Sequence, residues 1–269
     1  MKKTLIIYTN PKKPNAVSLM RELCAASEEA GFNAVPFADE ALLAGITGRQ
    51  WAETFCVVTL GGDGTILRAV SAAAPHGVPV LGVNMGRIGF FSEIGADEFG
   101  LALRKLERGE YALERPSMLT CLVNGESFGE CLNDFSVHRE ELSSITQLEL
   151  SVDGDAIGDV MADGLIVATP SGSTAYTMSA GGPVVAPKLD CILVTPICPH
   201  SLTVRPIVAS TESVVEARIK CVCRLSRDGQ SARILEPGDR LVFRRSERSA
   251  AFIRFEKRNV FRLIREKLK

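Results

Sequence analysis

Hydrophobic residues in the first hundred positions form short unbroken runs that alternate with helically spaced sets. A short apolar run between turn-forming residues is typical of a buried strand, whereas apolar residues three and four apart indicate an amphipathic helix. Strands that alternate with helices are typical of βαβ units and a parallel sheet. The pattern predicts strands at 4–8, 34–37, 55–60 and 80–83, a helix that runs from Val17 to a C-cap at Gly31, and a second helix at 66–74.

From about Tyr111 onward, apolar and polar residues alternate with a period of two instead. The dipeptides Asn124-Gly125 and Asp153-Gly154, each between two such runs, are strong short-range signals of a β-hairpin. This pattern predicts an antiparallel, β-rich second half. Its clearest strands are expected at 119–123, 148–152, 214–219, 222–225 and 241–244.

The change of period predicts an α/β domain with a parallel sheet over residues 1–110 and a sandwich-like antiparallel β domain over residues 111–255. Near the end of the chain, Phe261, Ile264 and Leu268 recur at helical spacing. We therefore expect residues 256–269 to be helical and to pack back on the first domain.

Composition excludes several classes of function. Among the 269 residues, 46% are hydrophobic and 23% are charged, which is typical of a globular protein. The 31 basic and 32 acidic residues nearly cancel, so nucleic acid or anionic lipid would not attract this chain by bulk charge. No apolar run approaches the roughly 18 residues of a membrane span, and the N-terminal run is too short for a signal-peptide core. We expect a cytoplasmic protein with no nucleic-acid or membrane partner.

The eight cysteines favour reduced thiols over a disulfide scaffold, because the chain is long and Cys24, Cys56, Cys191 and Cys221 lie among apolar neighbours. Cys221 and Cys223 would share one face of a strand. A zinc site would need two further ligands, for which only Cys198-Pro199-His200 is available, and we disfavour it.

The sharpest local motif is Gly-Gly-Asp-Gly-Thr at residues 61–65, between a predicted strand and a predicted helix. Glycines let the backbone turn tightly, so that its N–H groups and the helix N-terminus can converge on a phosphate. Asp63 would repel that phosphate unless a metal bridges them or the carboxylate takes a proton from an attacking hydroxyl. The alternative is that Asp63 only caps the helix. The motif by itself leaves both interpretations open.

Two further segments are rich in glycine or hydroxyl groups. Residues 84–90 (NMGRIGF) follow a predicted strand and could face the same crevice as residues 61–65, although an ordinary loop is the simpler interpretation. Residues 163–183 combine many small hydroxyls and glycines, which is typical of a surface that binds a polar, flat ligand such as a nucleoside. A helix is expected to start near Thr174, capped by Ser171 or Ser173.

Taken together, these segments resemble the NAD kinase family, which phosphorylates the adenosine 2′-hydroxyl of NAD to give NADP. Seven pieces occur in the family's order over most of the chain. GGDGT by itself is weak evidence, because diacylglycerol and sphingosine kinases share it. The pieces are GGDGT (61–65), NMGRIGF (84–90), LNDFSV (132–137), DGLIVATPSGSTAYTMSAGGPVV (163–185), TPICPHSL (195–202), RPIV (205–208) and SRDGQ (226–230).

The resemblance implies a two-domain architecture like that of NAD and diacylglycerol kinases. The first domain would carry the phosphate and metal turn, and the second would bind NAD. ATP would be the donor, and Mg²⁺ would be held by its phosphates near Asp63. Asp63 would be the general base, and the protein would be a homodimer or homotetramer.

The resemblance also assigns binding roles. Asn133 and Asp134 would contact the adenine or ribose, Asp163 would be a further NAD contact, and Tyr176 would pack on a ring. The chain departs from the common pattern at Asp134, where glutamate is usual, and at Ser171, where threonine is frequent. The substrate-binding residues implied by the resemblance are Gly61, Gly62, Gly64, Thr65, Arg68, Asn84, Asn133, Asp134, Asp163, Ser171, Thr174, Ala175, Tyr176, Thr177, Met178, Ser179 and Gln230.

Two alternatives remain at this stage. One is a lipid kinase with the same glycine turn, which the hydroxyl-rich segment at 163–179 disfavours, because it suits a nucleoside better than an acyl chain. The other is a dinucleotide sensor without turnover, which the retention of Asp63 disfavours. The sequence leaves open whether ATP or polyphosphate is the donor, whether NADH is accepted, and whether NADP(H) exerts feedback.

Overall fold

The computed structural model divides into two compact units, Met1–Arg115 with Arg248–Lys269, and Pro116–Glu247. Among the residues that the structure describes, no helix combines the length and the apolar character that a membrane span requires. The described residues are 2–13, 15–86, 89–141, 145–256 and 260–267.

Before the chain enters the second unit, the described part of the first unit has six strands and five helices. It also has short 3-10 segments at Ala74–His76 and Ala96–Glu98. The strands are β1 (Thr4–Thr9), β2 (Asn33–Phe37), β3 (Thr54–Leu60), β4 (Val80–Asn84), β5 (Ile94–Gly95) and β6 (Ala112–Glu114). The helices are α1 (Ala16–Glu29), α2 (Glu40–Ala44), α3 (Gly48–Glu53), α4 (Asp63–Ala73) and α5 (Phe99–Arg108).

In the part of the second unit that the structure describes, there are twelve strands and one short helix, α6 (Tyr176–Ser179), which follows a 3-10 turn at Ser171–Thr174. The strands are β7 (Ser117–Val123), β8 (Glu126–Cys131), β9 (Asp134–Arg139), β10 (Thr146–Val152), β11 (Asp155–Ala162), β12 (Gly164–Ala168), β13 (Cys191–Ile197), β14 (Ile207–Ser210), β15 (Val215–Ile219), β16 (Cys223–Arg227), β17 (Gln230–Leu235) and β18 (Arg240–Ser249).

The chain then returns to the first unit as β19 (Phe252–Arg254) and ends in helix α7 (Val260–Lys267). The helix expected near the C-terminus is therefore present, although Leu268, one of the three residues that predicted it, lies outside the described residues.

A seven-stranded sheet forms the centre of the first unit, in the order β2-β1-β3-β4-β19-β6 with β5 beside β4. All of its pairings are parallel except that of β19 with β6. Helix α1 buries Ala16, Met20, Leu23 and Ser27, which are spaced along one face, and Gly31 follows the helix with a φ of +85°. The predicted helix is thus confirmed, but its C-cap is Ala30 rather than the predicted Gly31, which is the next residue.

The second unit contains two six-stranded sheets, in the orders β11-β10-β15-β18-β7-β8 and β14-β13-β12-β9-β16-β17. Its main core takes buried side chains from both sheets, for example Leu119 and Leu148 of the first and Leu165 and Val194 of the second. This arrangement is a β-sandwich. The predicted fold class, an α/β domain with a parallel sheet followed by an antiparallel β domain, is confirmed.

Strand β12 is buried on both faces, which explains why its sequence is continuously apolar. Leu165 and Val167 point into the sandwich core, whereas Ile166 and Ala168 form a second cluster with Val185. The segment that follows β12 therefore folds back over the outer face of its own sheet. That fold-back brings the hydroxyl-rich residues 169–183 onto a rigid surface.

Three Asx-Gly pairs form the tight turns of the second unit. Asn124-Gly125, Asp153-Gly154 and Asp228-Gly229 all have positive φ at both residues, from 48° to 86°. Such turns match the twist of the two strands they join. The first two confirm the predicted hairpins, and the third joins β16 to β17.

Candidate active site

The glycine turn, defined here as residues 61–65, links β3 to α4 in the first unit. Gly61 has a φ of +153°, and a Cβ there would lie 2.5 Å from Oγ1 of Thr65, so a side chain does not fit. Its N–H donates to the carbonyl of Val83 on the neighbouring strand at 3.0 Å. The turn is thereby fixed to the carboxyl edge of the sheet.

Asp63 is the first residue of α4, and its carboxylate points to the loop at residues 89–92. Phe90 N–H donates to Oδ2 and Phe91 N–H donates to Oδ1, both at 2.9 Å. Gly89 leaves room for this contact, because a Cβ there would overlap the carboxylate. The position at a helix N-terminus also favours a negative charge.

The capping interpretation of Asp63 is wrong. Gly62 occupies the N-cap position, and no side-chain capping bond forms there among the described residues. The helix also starts earlier than the predicted residue 66, because the carbonyl of Gly62 accepts the N–H groups of Thr65 and Ile66 at 2.9 and 3.2 Å. Phe90 and Phe91 of a distant loop therefore orient the carboxylate.

Asn84 shapes the start of that loop. Its side-chain amide donates to the carbonyl of Gly86 at 2.7 Å and accepts the N–H of Gly86 at 2.8 Å. Ser92 Oγ accepts the N–H of Gly89 at 2.8 Å on the other side. The intervening residues of the predicted NMGRIGF segment, Arg87 and Ile88, lie outside the described residues.

Lys13 stands near the glycine turn, and Arg68 belongs to the helix that follows the turn. The ammonium of Lys13 lies 3.6 Å from the position that a Cβ on Gly62 would take. Arg68 Nε lies 2.9 Å from Oε2 of Glu40, and this ion pair holds the guanidinium within the first unit. Sequence reasoning selected Arg68 and missed Lys13. A signal existed, since Lys13 follows β1, and β1 and β3 are parallel neighbours whose carboxyl ends share one edge.

In the second unit, the loop after β12 packs against residues 132 and 133. Thr169 Oγ1 donates to the carbonyl of Leu132 at 2.6 Å, and Thr169 N–H donates to that of Asn133 at 2.9 Å. A Cβ on Gly172 would overlap the Asn133 carbonyl, so only glycine allows this approach. Two segments that are far apart in sequence are thereby joined into one surface.

Asn133 and Asp134 are buried on this surface with unusual electrostatic environments. Oδ1 of Asn133 is buried and has no hydrogen-bond partner among the described residues. Burial, together with the negative charge of Asp228, raises the pKa of the Asp134 carboxyl to about 7. A buried acceptor without a donor indicates a polar ligand or a water molecule at this point.

Asp228 is the main residue that sequence reasoning missed. Its carboxylate accepts the N–H groups of Leu132, Asn133 and Asp134 at 3.0, 2.7 and 3.2 Å. The signal was present in SRDGQ, because Asp-Gly is a hairpin-turn dipeptide. The sequence could not reveal the hydrogen-bond donors to Asp228, since they lie 94 to 96 residues earlier in the chain.

Tyr176 is partly exposed and lies beside His138, with ring centroids 5.5 Å apart and an interplanar angle of 26°. Burial lowers the pKa of His138, so its imidazole is neutral at neutral pH. Asp163 forms an ion pair with Arg139, with Oδ1 2.9 Å from NH1. These contacts give Tyr176 a flat neighbour and Asp163 a fixed orientation.

The predicted capping role of Ser171 or Ser173 is wrong. No side-chain cap is formed at either short helix among the described residues. Ser173 Oγ instead donates to the carbonyl of Val185 and accepts its N–H, at 3.2 and 3.1 Å. A buried serine that bridges two backbone groups fixes the fold-back, which local sequence patterns do not reveal.

The other predicted binding residues of the second unit lie along the same fold-back or on β17. Two threonine hydroxyls, Oγ1 of Thr177 and Oγ1 of Thr195 on β13, are buried and have no hydrogen-bond partner among the described residues. The fold-back carries Ser171, Thr174, Ala175, Thr177, Met178 and Ser179, and Gln230 begins β17.

The structure thus collects the predicted residues into two groups, each within its own unit. Among the described residues, no cluster of three or more His, Cys, Asp or Glu side chains could hold a metal ion. The cysteines, all eight of them described, are free thiols.

Comparison with known proteins gives a consistent result. The family described as ATP-NAD kinase N-terminal domain matches residues 47–111, and the ATP-NAD kinase C-terminal domain matches residues 132–255. An NAD kinase from Desulforamulus reducens is 35% identical over 279 residues, covering 99% of this chain and 97% of the relative. One from Symbiobacterium thermophilum is 39% identical over 278 residues and covers 97% of both chains.

Solved structures are similar as well. Yeast NADH kinase complexed with NADH matches with a TM-score of 0.89 and 25% identity, covering 99% of this chain and 87% of that one. An NAD kinase from Archaeoglobus fulgidus in complex with ATP matches with a TM-score of 0.81 and 27% identity, covering 98% of both chains.

Proposed function

The chain belongs to the NAD kinase family and is a phosphotransferase, and we propose that it transfers the terminal phosphate of ATP to the adenosine 2′-hydroxyl of NAD, with Asp63 as general base. The observation that carries this proposal is the carboxylate of Asp63, held at the glycine turn by the N–H groups of Phe90 and Phe91. A general base must be fixed in direction before it can accept a proton from a bound hydroxyl.

The first unit supplies the donor side in this proposal. Phosphoryl transfer depends on positioning and on neutralising charge rather than on covalent help from the protein. The glycine turn at the start of α4 offers backbone N–H groups and the positive end of a helix dipole. Lys13, beside Gly62, adds a positive charge for the donor's phosphates.

Mg²⁺ fits this arrangement as an ion that enters with the donor. Mg²⁺ keeps several of its waters and is commonly held by substrate phosphates, so the donor's phosphates would hold the ion near Asp63. When bound, the ion would neutralise charge on the transferred phosphoryl group. The protein's own part is to hold the phosphates and the base.

The second unit supplies the NAD side in this proposal. Asn133 Oδ1 is a buried acceptor that an exocyclic amino group such as that of adenine can satisfy. Tyr176 offers a partly exposed aromatic face beside His138. Asp163, Thr174, Ala175, Thr177, Met178, Ser179 and Gln230 are proposed as further contacts, with Ser171 keeping the hydroxyl that threonine usually supplies.

The proposal also concerns which phosphoryl donor and which acceptor the protein uses. One solved relative is an NADH kinase complexed with NADH, and another is an NAD kinase in complex with ATP. We propose NAD and ATP as the main pair, and a homodimer or homotetramer as the assembly in the cytoplasm. Size-exclusion chromatography with light scattering gives the subunit number directly.

A product assay tests the proposed reaction. The purified protein is incubated with Mg²⁺, NAD or NADH as acceptor, and ATP or polyphosphate as donor, with diacylglycerol as the control acceptor. We expect NADP from NAD and ATP, and ³¹P NMR of the product should show a monoester on the 2′-oxygen of the adenosine ribose. A 3′-phosphate, or phosphorylation of diacylglycerol alone, would refute the proposal.

A further inference from the structure

Asp228 stands at the first position of the turn between β16 and β17. Its φ of +48° and that of Gly229, +66°, are left-handed, and aspartate tolerates this conformation better than most residues. Its own N–H donates to the carbonyl of Asp134 at 2.9 Å. The hairpin turn is therefore tied to the start of β9.

The carboxylate of Asp228 binds the same segment from its other side. It accepts three consecutive backbone N–H groups, those of Leu132, Asn133 and Asp134, at 3.0, 2.7 and 3.2 Å. Hydrogen bonds from backbone N–H groups to a carboxylate are stronger than those to a neutral acceptor. Together they fix the direction of the backbone through residues 132–134.

A second contact holds this segment from the loop after β12. Thr169 bonds to the carbonyls of Leu132 and Asn133, and Gly172 packs against the Asn133 carbonyl. With the carbonyls held by one loop and the N–H groups by Asp228, the peptide has little freedom to rotate. The side chains of Asn133 and Asp134 then have fixed starting directions.

We propose that Asp228 is a positioning residue for the NAD side of the site, which preorganises the side chains of Asn133 and Asp134 through their backbone. The proposal rests on the proposed function, in which those two side chains contact NAD. Asp228 acts through its neighbours rather than on the substrate. Preorganisation increases affinity because less freedom is lost when the ligand binds.

The charge of Asp228 gives the proposal a second, independent readout. Burial and the charge of Asp228 raise the pKa of Asp134 to about 7. Cys131 and Tyr176 also face these carboxylates, and both groups have a raised pKa to which Asp134 contributes, while Arg227 acts on Asp228 in the opposite direction. Removing the charge of Asp228 should therefore lower the pKa of Asp134.

Asp228→Asn is the informative variant, because asparagine keeps the size and tolerates the left-handed backbone but loses the charge and one acceptor oxygen. We expect the NAD dissociation constant, measured by calorimetry, to rise at least about tenfold, which corresponds to about 1.4 kcal/mol. The ATP dissociation constant should stay within about twofold.

Asp153→Asn is the matched control. Asp153 opens an equivalent turn with Gly154, with φ values of 54° and 84°, and its Oδ1 accepts the N–H of Val214 at 2.8 Å. It lies outside the surface assigned to NAD. This variant should leave both dissociation constants unchanged within about twofold.

The pKa of Asp134 is followed in parallel by ¹³C NMR of aspartate-labelled protein. We expect a lower titration midpoint in Asp228→Asn and the wild-type midpoint in Asp153→Asn. An Asp228→Asn variant that keeps wild-type NAD affinity, or that loses NAD and ATP binding alike, would overturn the proposal. Wild-type protein that binds NAD but forms no NADP would refute the proposed reaction, and the calorimetry would still decide the role of Asp228.

Discussion

At the scale of single residues, Asp63 and Asp228 show that the same type of side chain can have different roles at different positions. Asp63 begins a helix directly after Gly62, so its charge lies at a helix N-terminus. Asp228 lies in a hairpin turn, where its carboxylate is occupied with three backbone N–H groups. The first is proposed to act on a bound hydroxyl, whereas the second holds its neighbours.

Lys13 provides a test of the donor side. Lys13→Ala removes the ammonium near Gly62, and we expect the apparent KM for ATP to rise about three- to tenfold, because an exposed charge contributes on the order of 1 kcal/mol. The apparent KM for NAD should change much less. Steady-state kinetics with each substrate varied in turn measures both.

Lys12→Ala is the control for this change, since Lys12 is an exposed neighbour with the same charge. If the two alanine variants raise the KM for ATP equally, the effect comes from net charge and Lys13 has no specific part. A loss confined to Lys13→Ala supports its placement at the donor's phosphates.

At the scale of elements, the surface proposed to bind NAD depends on how the segment after β12 folds back. Ile166, Ala168 and Val185 pack together on the outer face of the sheet, and Ser173 bridges to Val185. Gly172 then allows the close approach to Asn133. A continuous apolar strand thus carries a core on one face and a polar binding segment on the other.

Gly172→Ala should disturb this packing. The new methyl group would overlap the Asn133 carbonyl, and overpacking of this kind costs about 1–3 kcal/mol. We expect Tm to fall by roughly 3–6 °C and NAD affinity to weaken while ATP affinity persists. Differential scanning fluorimetry and calorimetry measure these effects.

Gly100→Ala is the matched control, because Gly100 lies inside α5 and nothing stands within 4 Å of the position of its Cβ. This change should stabilise the protein by about 0.5–1 kcal/mol, as alanine usually does in a helix. A Gly172→Ala variant that melts at or above the wild-type temperature would contradict the packing argument.

For the whole molecule, the raised pKa of Asp134 predicts how stability depends on pH. The pKa is about 7 in the folded state, against a reference value of 3.8. Between these values the folded protein holds one more proton than the unfolded chain, so the free energy of unfolding falls as pH rises from about 4 to 7. Above pH 7 the contribution is constant, and its full size is on the order of 4 kcal/mol.

Thermal melts of wild type and Asp134→Asn across pH 4–8 isolate this effect. The asparagine variant lacks the titrating group, so its Tm relative to wild type should rise between pH 4 and pH 7 and then level off. A difference that is flat over the whole range would show that Asp134 titrates as an exposed carboxyl.

Local patterns predicted most of the fold but only part of the site. Strands such as β3 and turns such as Asn124-Gly125 depend on neighbouring residues, and a sequence reveals these directly. The partners of Asp63 are 27 and 28 residues away, so the chain pattern left base and cap as open alternatives. The orphaned Oδ1 of Asn133 is likewise a property of three-dimensional packing.

The turnover of Asp63→Asn is the most direct test of whether Asp63 is the general base. Asparagine keeps the size of the side chain but cannot accept the proton of the 2′-hydroxyl, and one of its two polar atoms can no longer accept an N–H from Phe90 or Phe91. NAD binding and Tm are measured alongside turnover. Asp97→Asn, an exposed aspartate of the same unit, controls for loss of one negative charge.

We expect Asp63→Asn to lower kcat by about 10²–10⁴-fold, the usual contribution of a positioned base, while NAD affinity stays within a few fold of wild type. Raising the Mg²⁺ concentration should not restore the rate, whereas it would restore much of it if Asp63 chiefly held the metal. A variant that retains more than about a tenth of wild-type turnover has lost less than about 1.4 kcal/mol of transition-state stabilisation, and that result would contradict the assignment of Asp63 as the base.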